Sequence, residues 1–523
     1  MKCPFRILIP VIFGATFCLI TECQSPGVEA ARRPNIILIM ADDLSPRWFN
    51  IYGEQDDIST PNIDRLGSEG VCFRTTWATP MCSPTRALIM TGQYGMRTGW
   101  LHNELNIPDQ TGNRDFLRRG TKTFAHVLND AGYRTAICAR WGMPASWDLA
   151  SSAFDEYCLQ ASSRGLIPGD VKLGEMRKIA DKDDQVAEDQ YVIDVTLDPD
   201  KYNGLQESVI KVESATGYGR PFYARYWHPV INRNGKLILT KPEDFGTDFY
   251  MDFIVDFLDR SRDQSSLVYL PLHIPHGTSV KAQRGVSKEP TTPASGRPGT
   301  DWGGNMKEIT GYLDTAIGNL LSGLEAENLL ENTIIIFTAD NADSGGPTAV
   351  RPGKTMATDN GARVPFVVWG PDLIKQRGLT DELCELSDIF PTLADFAGAP
   401  LPDGQVCDGM SLKPFLSGKS DSHREWIFSY IGSARMIRDK RYLIEAADPE
   451  FGSAEGRFYD CGNNRSGFGY REITDHSGED KLAADRMYAL LDSLPRVDFS
   501  VEPAKSALEN YRTTGKWVHK LGN

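Results

Sequence analysis

The sequence predicts an α/β protein with a large domain built on a mixed, mainly parallel central sheet flanked by helices, followed by a small C-terminal α+β domain with an antiparallel sheet. Three observations predict it. The apolar runs within Pro34 to Asp43 and Asn332 to Asn341 do not alternate, the pattern of strands buried on both faces of a parallel sheet. Helical and strand patterns alternate between them, as in a doubly wound domain. After Pro414-Phe415-Leu416-Ser417-Gly418 the pattern changes to closely spaced short strands and then a helix. At 523 residues, 41% hydrophobic and 24% charged, the chain can bury a large core and still carry an appendage. Its formal charge of −14 gives no basic stripe, so nucleic acid is not an expected partner.

Lys2 and Arg6 precede an apolar run from Ile7 to Ile20, and Val28-Glu29-Ala30 offers small residues before a cut. That layout is a secretory signal peptide over residues 1–30 and is short for a membrane span. The expected location is the periplasm or the medium, with no membrane span left after removal. Seven cysteines follow: Cys72, Cys82, Cys138, Cys158, Cys384, Cys407 and Cys461. None forms a Cys-x-x-Cys pair beside histidines, so a structural zinc site is not expected. Disulfides are permitted in an exported chain but not required.

The first run ends in Asp42-Asp43. In open α/β sheets ligands bind beyond the carboxyl ends of the strands, although an Asp pair is also a common helix cap. The second run ends in Asp340-Asn341, which makes one shared site the better reading. Three carboxylates and an amide oxygen are a hard ligand set, suited to Ca²⁺, with Mg²⁺ also possible.

Thr60-Pro61-Asn62-Ile63-Asp64-Arg65-Leu66 opens a helix with a cap residue and a first-turn proline. Phe124 to Ala131 reads as a helix leading into the strand Thr135 to Cys138. Asp248 to Arg260 and Ile309 to Leu324 read as helices before the strands Leu267 to Leu272 and Thr333 to Phe337. Asn234-Gly235 is a hairpin signal, inside a polar, partly β insertion at about 160–245. Thr278 to Asn305 reads as a long loop. The catalytic domain is expected over 31–415 and the small domain over 416–523, with strands at Trp426 to Tyr430, Ala434 to Ile437 and Tyr442 to Glu445 and a helix from Glu479 to Leu494.

Cys82-Ser83-Pro84-Thr85-Arg86 resembles the maturation signature of type I sulfatases in the alkaline-phosphatase superfamily. In order, Asp42-Asp43, Thr60 to Leu66, the Cys82 pentapeptide, Thr91-Gly92, Pro275-His276, Asp340-Asn341, Gly353-Lys354, Arg363-Val364-Pro365 and Asp388 to Leu393 resemble that family's landmarks. The resemblance implies an alkaline-phosphatase-like fold and a sulfuric-ester hydrolase; export and the large polar insertion suit a bulky hydrophilic ester, so the expected substrate is a sulfated carbohydrate. It implies oxidation of Cys82 to formylglycine by a formylglycine-generating enzyme; the hydrated aldehyde attacks sulfur, and its second hydroxyl lets sulfate leave. Asp42, Asp43, Asp340 and Asn341, with residue 82, would hold the cation. Arg86 would steady the hydrated aldehyde, Lys354 would stabilise charge on the sulfate oxygens and His276 would be the general acid.

The chain departs from the family at Arg140-Trp141-Gly142, where Gly-Lys-Trp-His is usual. Arg140 keeps the positive charge as a planar fork, while Gly142 keeps nothing of the histidine. His273 and His228 are candidate stand-ins. Competing readings are a phosphodiester or phosphonate monoester hydrolase of the same superfamily, and a protein that captures sulfated glycans without turnover.

Overall fold

The computed structural model describes residues 33–515 except 56–57, 108–116, 118–119, 144–146, 162–166, 179–190, 215–221, 277–305, 344–352, 371, 468 and 476. The segments expected to be a signal peptide and the 278–305 loop therefore fall outside the described residues. The main sheet has ten strands, in the order Lys236–Ile238, Ile231–Arg233, Glu156–Gln160, Arg134–Ala139, Ser266–Pro271, Asn35–Ala41, Thr333–Ala339, Phe366–Trp369, Val71–Trp77 and Gly378–Glu385. Its centre is parallel, Asn35–Ala41 lying between Ser266–Pro271 and Thr333–Ala339. Phe366–Trp369 runs antiparallel to both of its neighbours, and the Asn234-Gly235 hairpin adds two antiparallel strands at one edge, so the sheet is mixed and mainly parallel.

Every residue of Asn35–Ala41 and Thr333–Ala339 is buried, as the unbroken apolar runs require. Helices Pro61–Glu69, Gly246–Asp259 and Met306–Ala326 pack on one another, and helices Cys82–Thr91, Phe124–Asp130 and Ile389–Ala397 form a second packed group. Each large apolar side chain enclosed between sheet and helices contributes about 1.5–3 kcal/mol. Between the Glu156–Gln160 strand and the hairpin, Lys172–Lys178, Tyr191–Thr196, Glu207–Ser214 and Phe222–Tyr223 form a separate four-stranded antiparallel sheet.

The C-terminal strands Trp426–Ile431, Ala434–Asp439, Tyr442–Ala447, Arg457–Asp460 and Arg471–Glu472 form a five-stranded antiparallel sheet, followed by helices Gly478–Ser493 and Ala504–Thr514. Buried polar bonds fasten this sheet to the catalytic side. Ser429 Oγ donates to Ala78 O at 2.7 Å, and the Gly95 N–H donates to Tyr430 Oη at 2.6 Å. Arg438 Nη1 meets Asp359 Oδ2 at 3.0 Å, with both side chains fully enclosed. Among the described residues, Cys72, Cys82, Cys138, Cys158, Cys384, Cys407 and Cys461 form no disulfide with one another. Among the described residues no helix is long and apolar enough to cross a membrane.

Candidate active site

Ala41 stands opposite Ala339 in the central parallel pair, so Asp42-Asp43 and Asp340-Asn341 leave the sheet side by side. Asp43 has a left-handed backbone, φ +66°, and its N–H donates to Asp340 Oδ1 at 3.2 Å. Asn341 Nδ2 donates to Asp43 Oδ1 at 2.7 Å. All four residues are at most 2% exposed. Their charge is answered by three cations: Arg86 Nη2 reaches Asp42 Oδ2 at 2.9 Å and Asp340 Oδ2 at 2.6 Å, Arg140 pairs with Asp42, and Lys354 pairs with Asp43. Burial pushes the Asp43 carboxyl up, with Lys354 opposing and Asp340 adding to the rise.

Two buried oxygens here, Asp42 Oδ1 and Asn341 Oδ1, have no hydrogen-bond partner. Unmatched buried acceptors of this kind are costly. Ligand atoms of Asp42, Cys82 and Asp340 lie within 4.8 Å of one another, as do those of Asp42, Asp43 and His276. A hard divalent cation fits this donor set.

Cys82 is the first residue of the helix Cys82–Thr91, every residue of which is buried. Pro84 is tolerated because a first-turn residue has no intrahelical use for its N–H. Arg86, four residues on, shares the face of Cys82. Burial pushes the Cys82 thiol up even though Lys354 counteracts it. Asn103, in the turn between the short strands Trp100–His102 and Leu105–Asn106, touches the first two residues of this turn. Its Nδ2 lies 3.3 Å from Cys82 Sγ, and its Oδ1 accepts from the Ser83 N–H at 2.9 Å.

Arg140 follows Ala139, a non-glycine residue at φ +79° that ends its strand, and the Arg140 N–H donates to Pro271 O at 2.8 Å. Gly142 does more than lack a side chain. Its φ is +68°, and a Cβ there would stand 2.8 Å from Arg86 Nε and 2.9 Å from Cζ. The Arg86 guanidinium occupies the space a side chain would need. Gly142→Ala should therefore cost about 1–2 kcal/mol from backbone strain alone, read as a lower midpoint of thermal unfolding, and should lower activity by displacing Arg86. Gly142→His should do the same rather than improve turnover.

His276 is positioned by its own N–H, which donates to His273 O at 2.9 Å, and by Tyr226 Oη, which donates to His276 O at 2.9 Å. Its Nδ1 has no hydrogen-bond partner. Burial, and next the charge of Arg140, holds both His276 and His273 well below the usual imidazole range. The charges of Arg140, Arg225 and Arg86 act on His273, which places it beside the site. His228 lies in the chain before the hairpin, its N–H donating to Asp244 O at 2.9 Å. The sequence-predicted residues Asp42, Asp43, Cys82, Arg86, Arg140, His276, Asp340, Asn341 and Lys354 thus converge. Sequence reasoning missed Asn103 and Tyr226, which lie in a turn and in the insertion where no pattern marks them.

The family model described as Sulfatase matches residues 34–399. The chain belongs to the sulfatase family. This sulfatase is 28% identical over 482 residues to human steryl-sulfatase, covering 82% of this chain and 76% of that protein. It is 27% identical over 441 residues to human arylsulfatase H, covering 76% and 75%. It is 27% identical over 459 residues to the N-acetylgalactosamine-6-O-sulfatase of Bacteroides thetaiotaomicron, covering 80% and 84%. A structure solved in complex with its substrate D-glucosamine-2-N,6-O-disulfate superposes with a TM-score of 0.61 at 19% identity, covering 88% of this sulfatase and 97% of that chain. The sulfatase is a sulfuric-ester hydrolase.

Proposed function

We propose that this sulfatase removes sulfate from a sulfated carbohydrate, using formylglycine matured from Cys82 as nucleophile and Ca²⁺, or Mg²⁺ in its place, held by Asp42, Asp43, Asp340, Asn341 and residue 82. The observation that carries the reading is the convergence of the buried strand-end pairs Asp42-Asp43 and Asp340-Asn341 on the first turn of the Cys82 helix. Similarity to an N-acetylgalactosamine-6-O-sulfatase supports the carbohydrate class. Maturation requires a formylglycine-generating enzyme as a transient partner. The apolar run from Ile7 to Ile20 supports export to the periplasm or medium, leaving a catalytic domain over 31–415 and a small domain over 416–523.

A bound cation would polarise a sulfate oxygen and favour deprotonation of the nucleophile. The chain's own groups do the rest. Arg86, bonded to Asp42 and Asp340, fixes the nucleophile's helix against the acid pairs. Lys354 and Arg140 present positive charge where the ester's sulfonyl oxygens must sit. Burial and the Arg140 charge disfavour the charged form of His276, and the negative charge of an arriving ester would raise its proton affinity. It would then hold the proton that the leaving alkoxide needs.

Purified enzyme should lose sulfate release from a panel of sulfated monosaccharides by about 10²-fold after chelation and regain it with added Ca²⁺. Full activity after exhaustive chelation would rule out the cation, and release from aryl phosphodiester but from no sulfate ester would rule out the substrate class.

A further inference from the structure

Asn103 bridges two neighbouring residues with opposite ends of one carboxamide. Met81, at the cap position of the Cys82–Thr91 helix, makes no side-chain cap bond, so the first-turn N–H of Ser83 takes its acceptor from elsewhere in the chain: Asn103 Oδ1, at 2.9 Å. A backbone N–H can only donate. That bond therefore fixes which way the amide faces, and the other end, Nδ2, must point its protons at the residue 82 side chain, 3.3 Å away. Cys82 is 3% exposed, so water cannot readily replace that donor.

We propose that Asn103 is a positioning residue for sulfate-ester hydrolysis, donating from Nδ2 to the functional group of residue 82 while Oδ1 caps the nucleophile's helix. The inference rests on residue 82 being the nucleophile. The sulfur marks where the oxygen of the matured side chain would hang, and a fixed donor at that point restricts its rotation and stabilises negative charge on it. Arg86 and the acid pairs approach from the strand ends, whereas Asn103 comes from the separate hairpin formed by Trp100–His102 and Leu105–Asn106. Its contribution is therefore an independent constraint on the same group.

The test compares Asn103→Ala with Asn103→Asp, each scored for kcat, KM, unfolding midpoint and formylglycine content, the last by mass spectrometry of the peptide Thr75 to Arg86. Asparagine and aspartate cap equally well, so Asn103→Asp keeps the acceptor, but it replaces the donor with a negative charge beside residue 82, and Asn103→Ala is the variant that removes the donor without adding charge. Expected for Asn103→Asp is kcat per formylglycine down at least about 10-fold, with a lower unfolding midpoint and a higher KM from the added charge. Asn103→Ala should lower kcat per formylglycine about 10- to 100-fold with KM changed less than about threefold, together with a midpoint lower by a few degrees. Parental kcat per formylglycine in either variant overturns the proposal, because the side chain is then a cap alone. A loss accounted for entirely by lower formylglycine content overturns it too. Cys82→Ala serves as the control: parental activity in that variant refutes the nucleophile assignment itself, a result distinct from a silent Asn103.

Discussion

Cys82→Ala should lower sulfate release by at least about 10⁴-fold, with the unfolding midpoint within a few degrees of the parent. The size follows from what the surrounding groups can do without a nucleophile. Arg86, Lys354 and His276 can bind and polarise an ester, and positioned groups of that kind alone retain roughly 10³–10⁴ over water in enzymes stripped of their nucleophile. The remainder requires a covalent step. Little stability is at stake because alanine is a better helix former than cysteine, while the lost contact is one long sulfur bond from Asn103. Cys82→Ser sharpens the result. A serine retains a hydroxyl but, without maturation, has no second hydroxyl to expel sulfate, so it should give at most a single burst of product. Multiple turnovers by Cys82→Ser at more than about a hundredth of the parental rate would refute the aldehyde mechanism, since covalent intermediates that cannot be resolved stop after one cycle.

The central sheet was legible because Asn35–Ala41 and Thr333–Ala339 are unbroken apolar runs, a composition that water-facing strands do not tolerate. Their acid ends were legible with them. What the pattern could not supply was register: only the pairing of Ala41 with Ala339 puts Asp42-Asp43 against Asp340-Asn341. The antiparallel strand Phe366–Trp369, lodged between Thr333–Ala339 and Val71–Trp77, carries no local mark of direction. The hairpin at Asn234-Gly235 was readable from its turn dipeptide, but its place as an edge of the main sheet depends on Glu156–Gln160, distant in sequence. The site shows the same division. The Cys82 to Arg86 spacing encodes a shared helix face, whereas Asn103, Tyr226 and the fit of Gly142 against Arg86 are contacts between segments that no periodicity links. At Gly142 the sequence shows a side chain missing, and the structure shows the Arg86 guanidinium in its place.

Asp388→Asn should destabilise the enzyme by about 3–5 kcal/mol at neutral pH, the usual cost of leaving one partner of a buried ion pair uncompensated. Asp388 opens the run Asp388 to Leu393 and touches nothing at the candidate catalytic centre described above. Its carboxylate is fully buried and accepts from Arg424 Nε at 2.8 Å, His423 Nε2 at 2.9 Å, the Met410 N–H at 2.8 Å and the Glu385 N–H at 3.2 Å. Glu385 lies in the same enclosure and accepts from Tyr94 Oη and Ser387 Oγ at 2.6 Å each, and from the Phe428 N–H at 2.7 Å. Tyr94 closely follows the Cys82 helix, and Phe428 lies in the C-terminal sheet, so one buried cluster ties the Cys82 helix to the five-stranded sheet. Arg424 is the shared cation. Burial alone would raise the Asp388 carboxyl, but Arg424 and His423 outweigh it and hold it far below the ordinary range. Burial holds Glu385 above its own range despite Arg424. A depressed carboxyl contributes stability that is fully present above the unfolded-state value, about 4 for aspartate, and is lost as pH falls from there toward the folded-state value. The gap between parent and Asp388→Asn, measured by urea unfolding, should therefore be constant from about pH 6 to 8 and begin to close below about pH 4. Parallel stability curves down to pH 3 would show that the ionised carboxylate is not what holds the cluster, and that its hydrogen-bonding shape alone suffices.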